Sequence, residues 1–422
     1  ALAMVHDDLW SSDASQTFEE SEIACFHASS SPETASPHTK GARHFDYEQM
    51  IAGHDAVRPE TSISPEDPAR LRYTSGTTGR AKAAILPHRV YMCSLQNLTS
   101  EVHDLSPEDN VLHAAPLTHA AGALVFPVLA AGGTNVLLPR FEAEAVLATI
   151  EREKISLMFA VPTMLLRLFE SPGIADADVS SIRTISYGGA PMPVEPLNSV
   201  IERIGTSLLQ IYGLTEATHP ITTLQHAEHR ARNPKLGSIG KCTPFCTIRL
   251  LDDEGQEVAP GEVGEMVVSG DNTMSGYWND TEATDEVLED GWVYTGDLAY
   301  CDADGYHWIV DRKKDVIITG GFNVYSAEVE HTLMEHPDVS EAAVIGLPHD
   351  DWGEEVCAVV TTANKTEVDG TDLITFCRER LAGYKTPKRV FIQHEPLPKN
   401  NSGKILKKKI IERIQTKVIG KQ

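Results

Sequence analysis

Residues 141–213 decide the fold class of this chain, and they read FEAEAVLATIEREKISLMFAVPTMLLRLFESPGIADADVSSIRTISYGGAPMPVEPLNSVIERIGTSLLQIYG. Apolar residues recur at helical spacing in FEAEAVLATIEREK, PTMLLRLFE and PVEPLNSVIERI. Between these stretches lie short runs rich in β-branched and aromatic residues, which are ISLMFA, IRTISYG and SLLQIYG. This alternation predicts a largely parallel, doubly wound α/β sheet.

The pattern changes after residue 237. The segments 248–258 (IRLLDDEGQEV) and 300–310 (YCDADGYHWIV) each place strand residues around an acidic turn that contains glycine, which is typical of a hairpin. Beyond Arg312, helix and strand patterns alternate up to a basic terminal helix. We therefore predict a large α/β domain with a small β-rich subdomain over residues 1–311, and a small α+β domain over residues 312–422.

Composition narrows the function. The 422 residues contain 36 Lys+Arg against 61 Asp+Glu, and the net charge of -25 opposes binding to nucleic acid.

The most apolar stretch, Ala114–Leu138, is interrupted by two prolines and a glycine pair, so we predict a helix and a strand rather than a membrane span. The start, ALAMVHDDLW, has no signal-peptide pattern. With seven scattered cysteines, a reduced, cytoplasmic protein without structural zinc is expected.

Glycines and hydroxyl residues crowd together in residues 73–82 (YTSGTTGRAK), ahead of a helical pattern. Glycine lets the backbone approach a phosphate, the Ser and Thr hydroxyls can donate to its oxygens, and Lys82 adds a positive charge. The spacing is not that of a Walker A loop. The run predicts a phosphate-binding loop, with an ordinary Gly/Thr-rich turn as the alternative.

The same run resembles the phosphate-binding signature of the adenylate-forming superfamily, which includes acyl-CoA synthetases, luciferases and peptide-synthetase adenylation domains. Four further segments match in the family's order. They are residues 187–191 (YGGAP), 212–216 (YGLTE), 294–297 (YTGD) with Asp311-Arg312, and 398–404 (PKNNSGK). Five matches in order, from Thr74 to Lys404, indicate membership of this superfamily.

The resemblance implies a role for each matching residue. Phosphate contacts fall to Thr74, Ser75, Gly76, Thr77, Thr78, Gly79 and Lys82. The adenine side falls to Gly189, Ala190, Pro191, Tyr212 and Gly213, and the ribose to Asp297 and Arg312. Catalytic roles fall to Lys404, Glu216, Thr215 and His119, with Glu216 and Thr74 as the magnesium ligands. Gly321 is expected beside the pantetheine arm of CoA, where glycine permits close approach.

The implied reaction activates a carboxylic acid with ATP and Mg²⁺ to an acyl-adenylate, which then transfers its acyl group to CoA. In the family the small C-terminal domain is mobile and rotates between the two steps, and Lys314 marks the hinge by position. The acyl pocket is expected near residues 121–125, 187–190 and 215–219, which suits a fatty or aryl acid, and His219 is a candidate reader of a polar substituent.

Several alternatives stay open from the sequence. His119 is either the gate between acyl pocket and nucleotide or a buried core histidine. Lys407, Lys408 and Lys409 are expected on a solvated helix face, with contact to CoA phosphates as the alternative. The acyl acceptor is CoA or a carrier protein. Only 73 residues precede the phosphate loop, so a truncated, inactive or partner-dependent chain that binds nucleotide is a further hypothesis. The oligomeric state is not readable.

Overall fold

The structure is a computed structural model. It consists of two units, residues 1–63 and residues 64–422. The structure describes residues 2–6, 24–28, 44–46, 51–57, 60–74, 82–205, 207–362, 368–399 and 405–419. In the first unit, strands β1 (Leu2–His6), β2 (Ala24–Ala28) and β3 (His44–Asp46) form a parallel three-stranded sheet in that order.

A seven-stranded sheet forms the centre of the second unit. Its strands are β6 (Asn110–His113), β7 (Thr134–Leu137), β8 (Leu157–Ala160), β9 (Thr184–Gly188), β10 (Leu208–Tyr212), β11 (Thr222–Leu224) and β12 (Lys241–Cys242). Their order is β12-β11-β10-β9-β8-β6-β7, with parallel pairing from β10 to β7 and antiparallel pairing of β11 and β12. The predicted, largely parallel sheet is confirmed.

Helices cover both faces of this sheet. They are α1 (His88–Asn97), α2 (Val125–Ala131), α3 (Ala143–Glu153), α4 (Pro162–Glu170) and α5 (Val194–Ile204). Successive side chains of a strand point to opposite faces. In β8, Met158 and Ala160 pack in the core beneath α3, α4 and α5, whereas Leu157 and Phe159 pack in a second core with Val128 of α2. One core on each face makes the sheet doubly wound.

The apolar stretch 114–138 forms a helix and a strand, α2 and β7, as predicted. Only one face of α2 is buried, since Phe126 and Leu129 are exposed on the other. Among the described residues, no helix has the length and apolar character needed to cross a membrane.

Antiparallel strands follow, as predicted. A hairpin is formed by β4 (Pro68–Thr74) and β5 (Lys82–Pro87). A five-stranded sheet is formed by β13 (Cys246–Leu251), β14 (Gly264–Gly270), β15 (Leu288–Glu289), β16 (Trp292–Cys301) and β17 (His307–Arg312), with helix α6 (Thr281–Asp285) between β14 and β15. The hairpin predicted over residues 300–310 joins β16 to β17.

The hairpin predicted over residues 248–258 is only partly right. The turn forms, but its second arm contributes a single bridge, between Leu251 and Glu257. Along its length β13 pairs with β14 instead. The reason is burial, because β14 supplies Met266 and Val268 to the core that Leu250 enters, while the polar arm has little apolar surface to bury.

The C-terminal part has its own sheet. Its strands are β18 (Ile317–Thr319), β19 (Phe322–Val324), β20 (Val339–His349), β21 (Gly353–Thr362) and β22 (Arg389–Gln393), in the order β19-β18-β21-β20 with β22 parallel to β21. Its helices are α7 (Ser326–Met334), α8 (Gly370–Arg378) and α9 (Lys407–Ile419). Buried Leu333 of α7 and Leu373 of α8 lie in the core on one face, and Ile410 of α9 lies in the core on the other. The α+β prediction is confirmed, whereas the boundary at 311/312 stays a prediction.

Candidate active site

Three of the predicted segments lie at one edge of the seven-stranded sheet. Residues 115–124 follow β6, residues 189–191 follow β9, and residues 213–216 follow β10. These strands are parallel, so their carboxyl ends share an edge. Ligands of open α/β sheets bind outside the carboxyl ends of the strands. Segments far apart in sequence are therefore brought together where a ligand is expected.

The predicted ribose pair is an ion pair in the structure. Arg312 Nε lies 2.8 Å from Asp297 Oδ1, and Tyr212 Oη donates to Asp297 Oδ2 at 2.6 Å. Asp297 of β16 is paired directly with Arg312 of β17, so Asp297 is a strand residue and not a turn residue. Its exposed fraction is 3%. Burial, together with the nearby Asp297 charge, raises the pKa of Tyr212 and keeps its hydroxyl a donor. Each carboxylate oxygen still has a lone pair for a sugar hydroxyl.

Glu216, the predicted magnesium ligand, is held by a residue that the sequence did not single out. Tyr277 Oη donates to Glu216 Oε1 at 2.7 Å, and burial, followed by the Glu216 charge, raises the pKa of Tyr277. Met274 N–H also donates to the Glu216 carbonyl oxygen, at 2.8 Å. The second carboxylate oxygen, Oε2, is not used by Tyr277. The signal for Tyr277 in the sequence is weak, because it is an aromatic residue directly after Gly276.

A cavity of about 100 Å³ joins the two sites. Its lining consists of Leu214, Glu216, Tyr277, Val287, Tyr294, Thr295 and Arg312. Segments 212–216 and 294–297 and the end of β17 therefore border one space. Glu216, the predicted metal ligand, and Arg312, the predicted ribose arginine, line the same cavity, as the binding of a nucleotide with its metal ion requires.

Of the predicted phosphate loop, the structure describes the two ends. Thr74 and Lys82 are paired in the register of β4 and β5. Lys82 Nζ lies 3.6 Å from Glu286 Oε2 and 5.4 Å from the ring centre of Tyr277. The predicted contacts of Ser75, Gly76, Thr77, Thr78 and Gly79 lie outside the described residues.

The predicted catalytic-lysine loop has fixed ends. Lys399 and Ile405 form a β-bridge, and Leu406 N–H donates to Pro398 O at 2.8 Å. Lys404 itself lies outside the described residues. The two described ends of this segment, Lys399 and Ile405, are therefore adjacent, and Ile405 lies just before α9.

The expectation of a solvated face for all three lysines of α9 is wrong for Lys407. Its Nζ lies 2.6 Å from Ser326 Oγ and 2.7 Å from Glu330 Oε1, so the charge is compensated inside the fold. Lys408 and Lys409 are exposed, as expected. Ser326 in turn donates from both its N–H and its hydroxyl to Asp311 Oδ2, the residue before Arg312.

The remaining predicted residues differ in position. His119 is exposed, which excludes the alternative of a core histidine. Thr215 is half-buried beside Glu216, and Gly321 lies in the exposed turn between β18 and β19 with a φ of +82°. At Gly213 a Cβ atom would lie 2.6 Å from the Cα atom of His219, so only glycine fits there. Gly189 has a φ of +83°, and its segment through Ala190 and Pro191 is partly or fully exposed.

Tyr187 corrects the expected acyl pocket. Its side chain is fully buried, its hydroxyl lies 3.1 Å from His229 Nε2, and it belongs to the core beneath α3, α4 and α5. It does not line an open space.

Comparison with known proteins agrees with this geometry. The family of AMP-binding enzymes matches residues 5–278, and the AMP-binding enzyme C-terminal domain matches residues 328–404. A feruloyl-CoA synthase of Amycolatopsis is 45% identical over 361 residues, which cover 85% of this chain and 72% of that protein. An indoleacetate–CoA ligase of Aromatoleum aromaticum is 40% identical over 379 residues, covering 89% and 73%. A long-chain-fatty-acid–CoA ligase of Salmonella typhimurium is 38% identical over 374 residues, covering 86% and 64%.

Solved structures give the same result. An amide bond synthetase from Marinactinospora thermotolerans matches with a TM-score of 0.84 and 33% identity, over 98% of this chain and 79% of that one. The o-succinylbenzoate-CoA synthetase of Bacillus subtilis, in complex with ATP and a magnesium ion, matches with a TM-score of 0.81 and 33% identity, over 96% and 83%. The chain therefore belongs to the AMP-binding, adenylate-forming superfamily, within its family of AMP-forming acid–thiol ligases.

Proposed function

We propose that this protein activates a fatty or aryl carboxylic acid with ATP and Mg²⁺ and transfers the acyl group to CoA. The observation that carries the proposal is the cavity that brings Glu216 and Arg312 to one space. The relatives' names support the reaction and span both kinds of acid, since they include feruloyl, indoleacetate and long-chain fatty acyl groups. The choice between fatty and aryl acids is the part that experiment must decide.

In the first half-reaction, a carboxylate oxygen attacks the α-phosphorus of ATP and pyrophosphate leaves with the electron pair of the broken bond. In the second, the CoA thiol displaces AMP from the acyl-adenylate. Neither step needs a nucleophile from the protein. The protein contributes by positioning the reactants and compensating negative charge. In this proposal Asp297 with Arg312 holds the ribose, and the phosphate contacts are assigned to residues 74–82 and Lys404.

The residues present fit a magnesium ion. Carboxylate oxygen is the ligand type that Mg²⁺ prefers, and Mg²⁺ in such sites takes one or two carboxylates plus substrate phosphates. Glu216 supplies one carboxylate whose Oε1 is fixed by Tyr277. Within the described part of the chain, no cluster of three or more acidic, His or Cys side chains forms a self-sufficient metal site. When bound, the ion would neutralise phosphate charge.

The domain division belongs to the same proposal. We place the hinge at Lys314, which lies in the short helical turn Lys313–Asp315 directly after β17. The turn at Gly320 and Gly321 has open space where a Cβ atom would stand at either position. This open, exposed turn supports its proposed place beside the pantetheine arm.

A second candidate keeps the adenylation step and changes the acceptor. The structural match to an amide bond synthetase, with a TM-score of 0.84, favours testing amines beside CoA. A carrier protein is the third acceptor to include. All three acceptors attack the same carbonyl carbon, so the adenylation site described above serves each of them.

The test is a mass-spectrometric assay of the purified chain with ATP, Mg²⁺, CoA and a panel of fatty and aryl acids, following AMP, acyl-AMP and acyl-CoA together. Acyl-CoA from any acid supports the proposal. Acyl-AMP that accumulates with CoA and is consumed with an amine or a carrier protein supports the second candidate. Bound ATP with no product from any acid contradicts both and favours a nucleotide-binding chain without turnover.

Lys404→Ala is expected to abolish adenylation while leaving ATP affinity within about twofold, because its charge is needed where charge develops in the transition state. Lys409→Ala is the matched control, since it removes the same charge from an exposed position of α9. Acid-dependent ATP–pyrophosphate exchange measures the first effect and ATP titration the second. An unchanged exchange rate in Lys404→Ala removes this lysine from its role.

A further inference from the structure

Arg72 is a buried arginine of the second unit. It lies in β4, is 8% exposed, and its Nε has no partner anywhere in the described structure. Its neighbour Tyr73 is 65% exposed, so the strand turns the tyrosine outward and the arginine inward. Burial lowers the pKa of Arg72, but an arginine stays charged at any physiological pH. A buried charge without a counter-charge is costly, which makes a bound anion the natural partner.

The sheet register directs Arg72 toward Glu216. Arg72 is paired with Ala84 of β5, and Ala84 forms a bridge with Tyr277. Residues directly opposite each other share a face of the sheet, so Arg72, Ala84 and Tyr277 point the same way. The Ala84 side chain is too small to separate the two larger ones. Tyr277 binds Glu216, whose charge also acts on Arg72 but does not form an ion pair with it among the described contacts.

His219 is a second buried residue on which the Arg72 charge acts. It is 6% exposed, and its Nε2 has no partner within the described structure. Burial, followed by the Arg72 charge, lowers the pKa of His219 to about 4, so the imidazole is neutral at neutral pH. The other charged groups that act on Arg72 are Arg70, of like sign, and the Tyr91 hydroxyl. None of these groups supplies the missing negative charge.

Arg72 is therefore close enough to both Glu216, the proposed metal ligand, and His219 of the expected acyl pocket to act on them electrostatically. In the proposed reaction the acid's carboxylate approaches the α-phosphorus from the acyl side, so we expect it in this region. The groups already proposed to compensate the phosphate charge are Lys82 and the metal ion. A neutral substituent of the acid would leave the guanidinium charge uncompensated.

We propose that Arg72 binds the carboxylate of the acid substrate and orients it for attack on the α-phosphorus, an inference that rests on the proposed function. One carboxylate oxygen accepts from the guanidinium, and the other forms the new bond to phosphorus. The mixed anhydride formed has no charge on its carbonyl oxygen. Arg72 therefore holds the acid more strongly than the acyl-adenylate.

The test compares Arg72→Met and Arg72→Lys with wild type in ATP–pyrophosphate exchange, varying acid and ATP in turn. Arg152→Met is the control, because it removes an equal charge from an exposed position of α3. In Arg72→Met the KM for every active acid is expected to rise about 10- to 100-fold, with the KM for ATP within about twofold. Arg72→Lys should recover part of the lost acid affinity, since it restores the positive charge but not the two parallel N–H donors of the guanidinium group.

Three results would overturn the inference. A rise in the KM for ATP alone would assign Arg72 to the α-phosphate. A loss confined to acids with one polar substituent would make it a reader of that substituent. Unchanged KM values for all acids would leave it without a ligand.

A binding measurement on wild type keeps the inference testable if Arg72→Met does not fold, or if no acid turns over. Thermal-shift titrations compare each acid with its neutral carboxamide in the presence of a non-hydrolysable ATP analogue. Wild type is expected to bind the acid at least tenfold more tightly than the amide, and Arg72→Lys to reduce this ratio. Equal affinities would contradict the role of Arg72, whereas absent turnover with preferential acid binding would contradict only the proposed function.

Discussion

Tyr212→Phe removes one hydrogen bond from a carboxylate in the site and leaves the ring in place. Tyr212 Oη lies 2.6 Å from Asp297 Oδ2, while Arg312 Nε keeps Oδ1 at 2.8 Å. A hydrogen bond to a charged group contributes about 1.5–3 kcal/mol. Because Asp297 is 3% exposed, water cannot readily replace the lost donor. We expect the free energy of unfolding to fall by about 1–3 kcal/mol.

The same change should weaken ATP binding. Without Tyr212 only Arg312 orients the Asp297 carboxylate, and the Arg312 side chain is 40% exposed, so its ion pair is partly screened. If half of the lost energy also contributes to ribose binding, the KM for ATP rises about 3- to 10-fold, since 1.4 kcal/mol corresponds to a factor of ten. Urea unfolding measures the first effect, and ATP titration at saturating acid measures the second.

Tyr187→Phe is the matched control. It removes another buried tyrosine hydroxyl, 3.1 Å from His229 Nε2, which is not among the residues lining the cavity. The bond is between neutral groups, because burial lowers the pKa of His229 to about 4, and we expect a loss of about 1 kcal/mol in stability. The KM for ATP should not change. If Tyr212→Phe behaves the same way, the Tyr212–Asp297 bond is structural only and the ribose assignment is wrong.

Two further predictions concern other parts of the chain. Tyr277→Phe frees Glu216 Oε1 from its donor, so the Mg²⁺ concentration for half-maximal pyrophosphate exchange should rise about tenfold; an unchanged requirement would contradict Glu216 as the ligand. Cys246 Sγ lies 3.6 Å from Cys242 Sγ, and a hydrogen bond from Cys242 lowers the pKa of Cys246. Because a lowered pKa gives thiolate at lower pH, iodoacetamide should label Cys246 from a pH below the ordinary thiol range, and Cys242→Ala should move that midpoint upward. Peptide mass spectrometry across pH measures it, and an unmoved midpoint would contradict the coupling.

Periodicity was sufficient to predict the central sheet, because each buried parallel strand and each helix leaves its own local pattern. Long-range pairing was not predictable in the same way. The arm at residues 256–258 has strand-like residues, yet β13 pairs with β14, because apolar burial decides between competing partners. Local sequence periodicity predicts whether a segment forms a helix or a strand, whereas the burial of apolar side chains decides with which strand it pairs.

The same distinction applies to the residues of the candidate site. Motifs predicted roles for Glu216 and Asp297, because each stands in a short run whose composition is unusual. Their partners are distant, with Tyr277 61 positions after Glu216 and Tyr212 85 positions before Asp297. Arg72 carried a signal that went unused, a charge at an inward position of a strand. It becomes informative only when the structure shows that Arg72 is buried and that its Nε has no hydrogen-bond partner among the described residues.

Asp311 and Arg312 are adjacent in sequence but bind to different parts of the fold. Arg312 holds Asp297 in the nucleotide site, while Asp311 holds Ser326 at the start of α7, which in turn binds Lys407 beside the lysine loop. A swing of the C-terminal part about Lys314 has to exchange these Asp311 contacts for others. Nucleotide affinity and the position of that part are then thermodynamically linked, and the linkage is reciprocal. If the proposed swing takes place, whatever factor closure adds to ATP affinity, ATP adds to closure, and the nucleotide would then act as its own timing signal between the two proposed half-reactions.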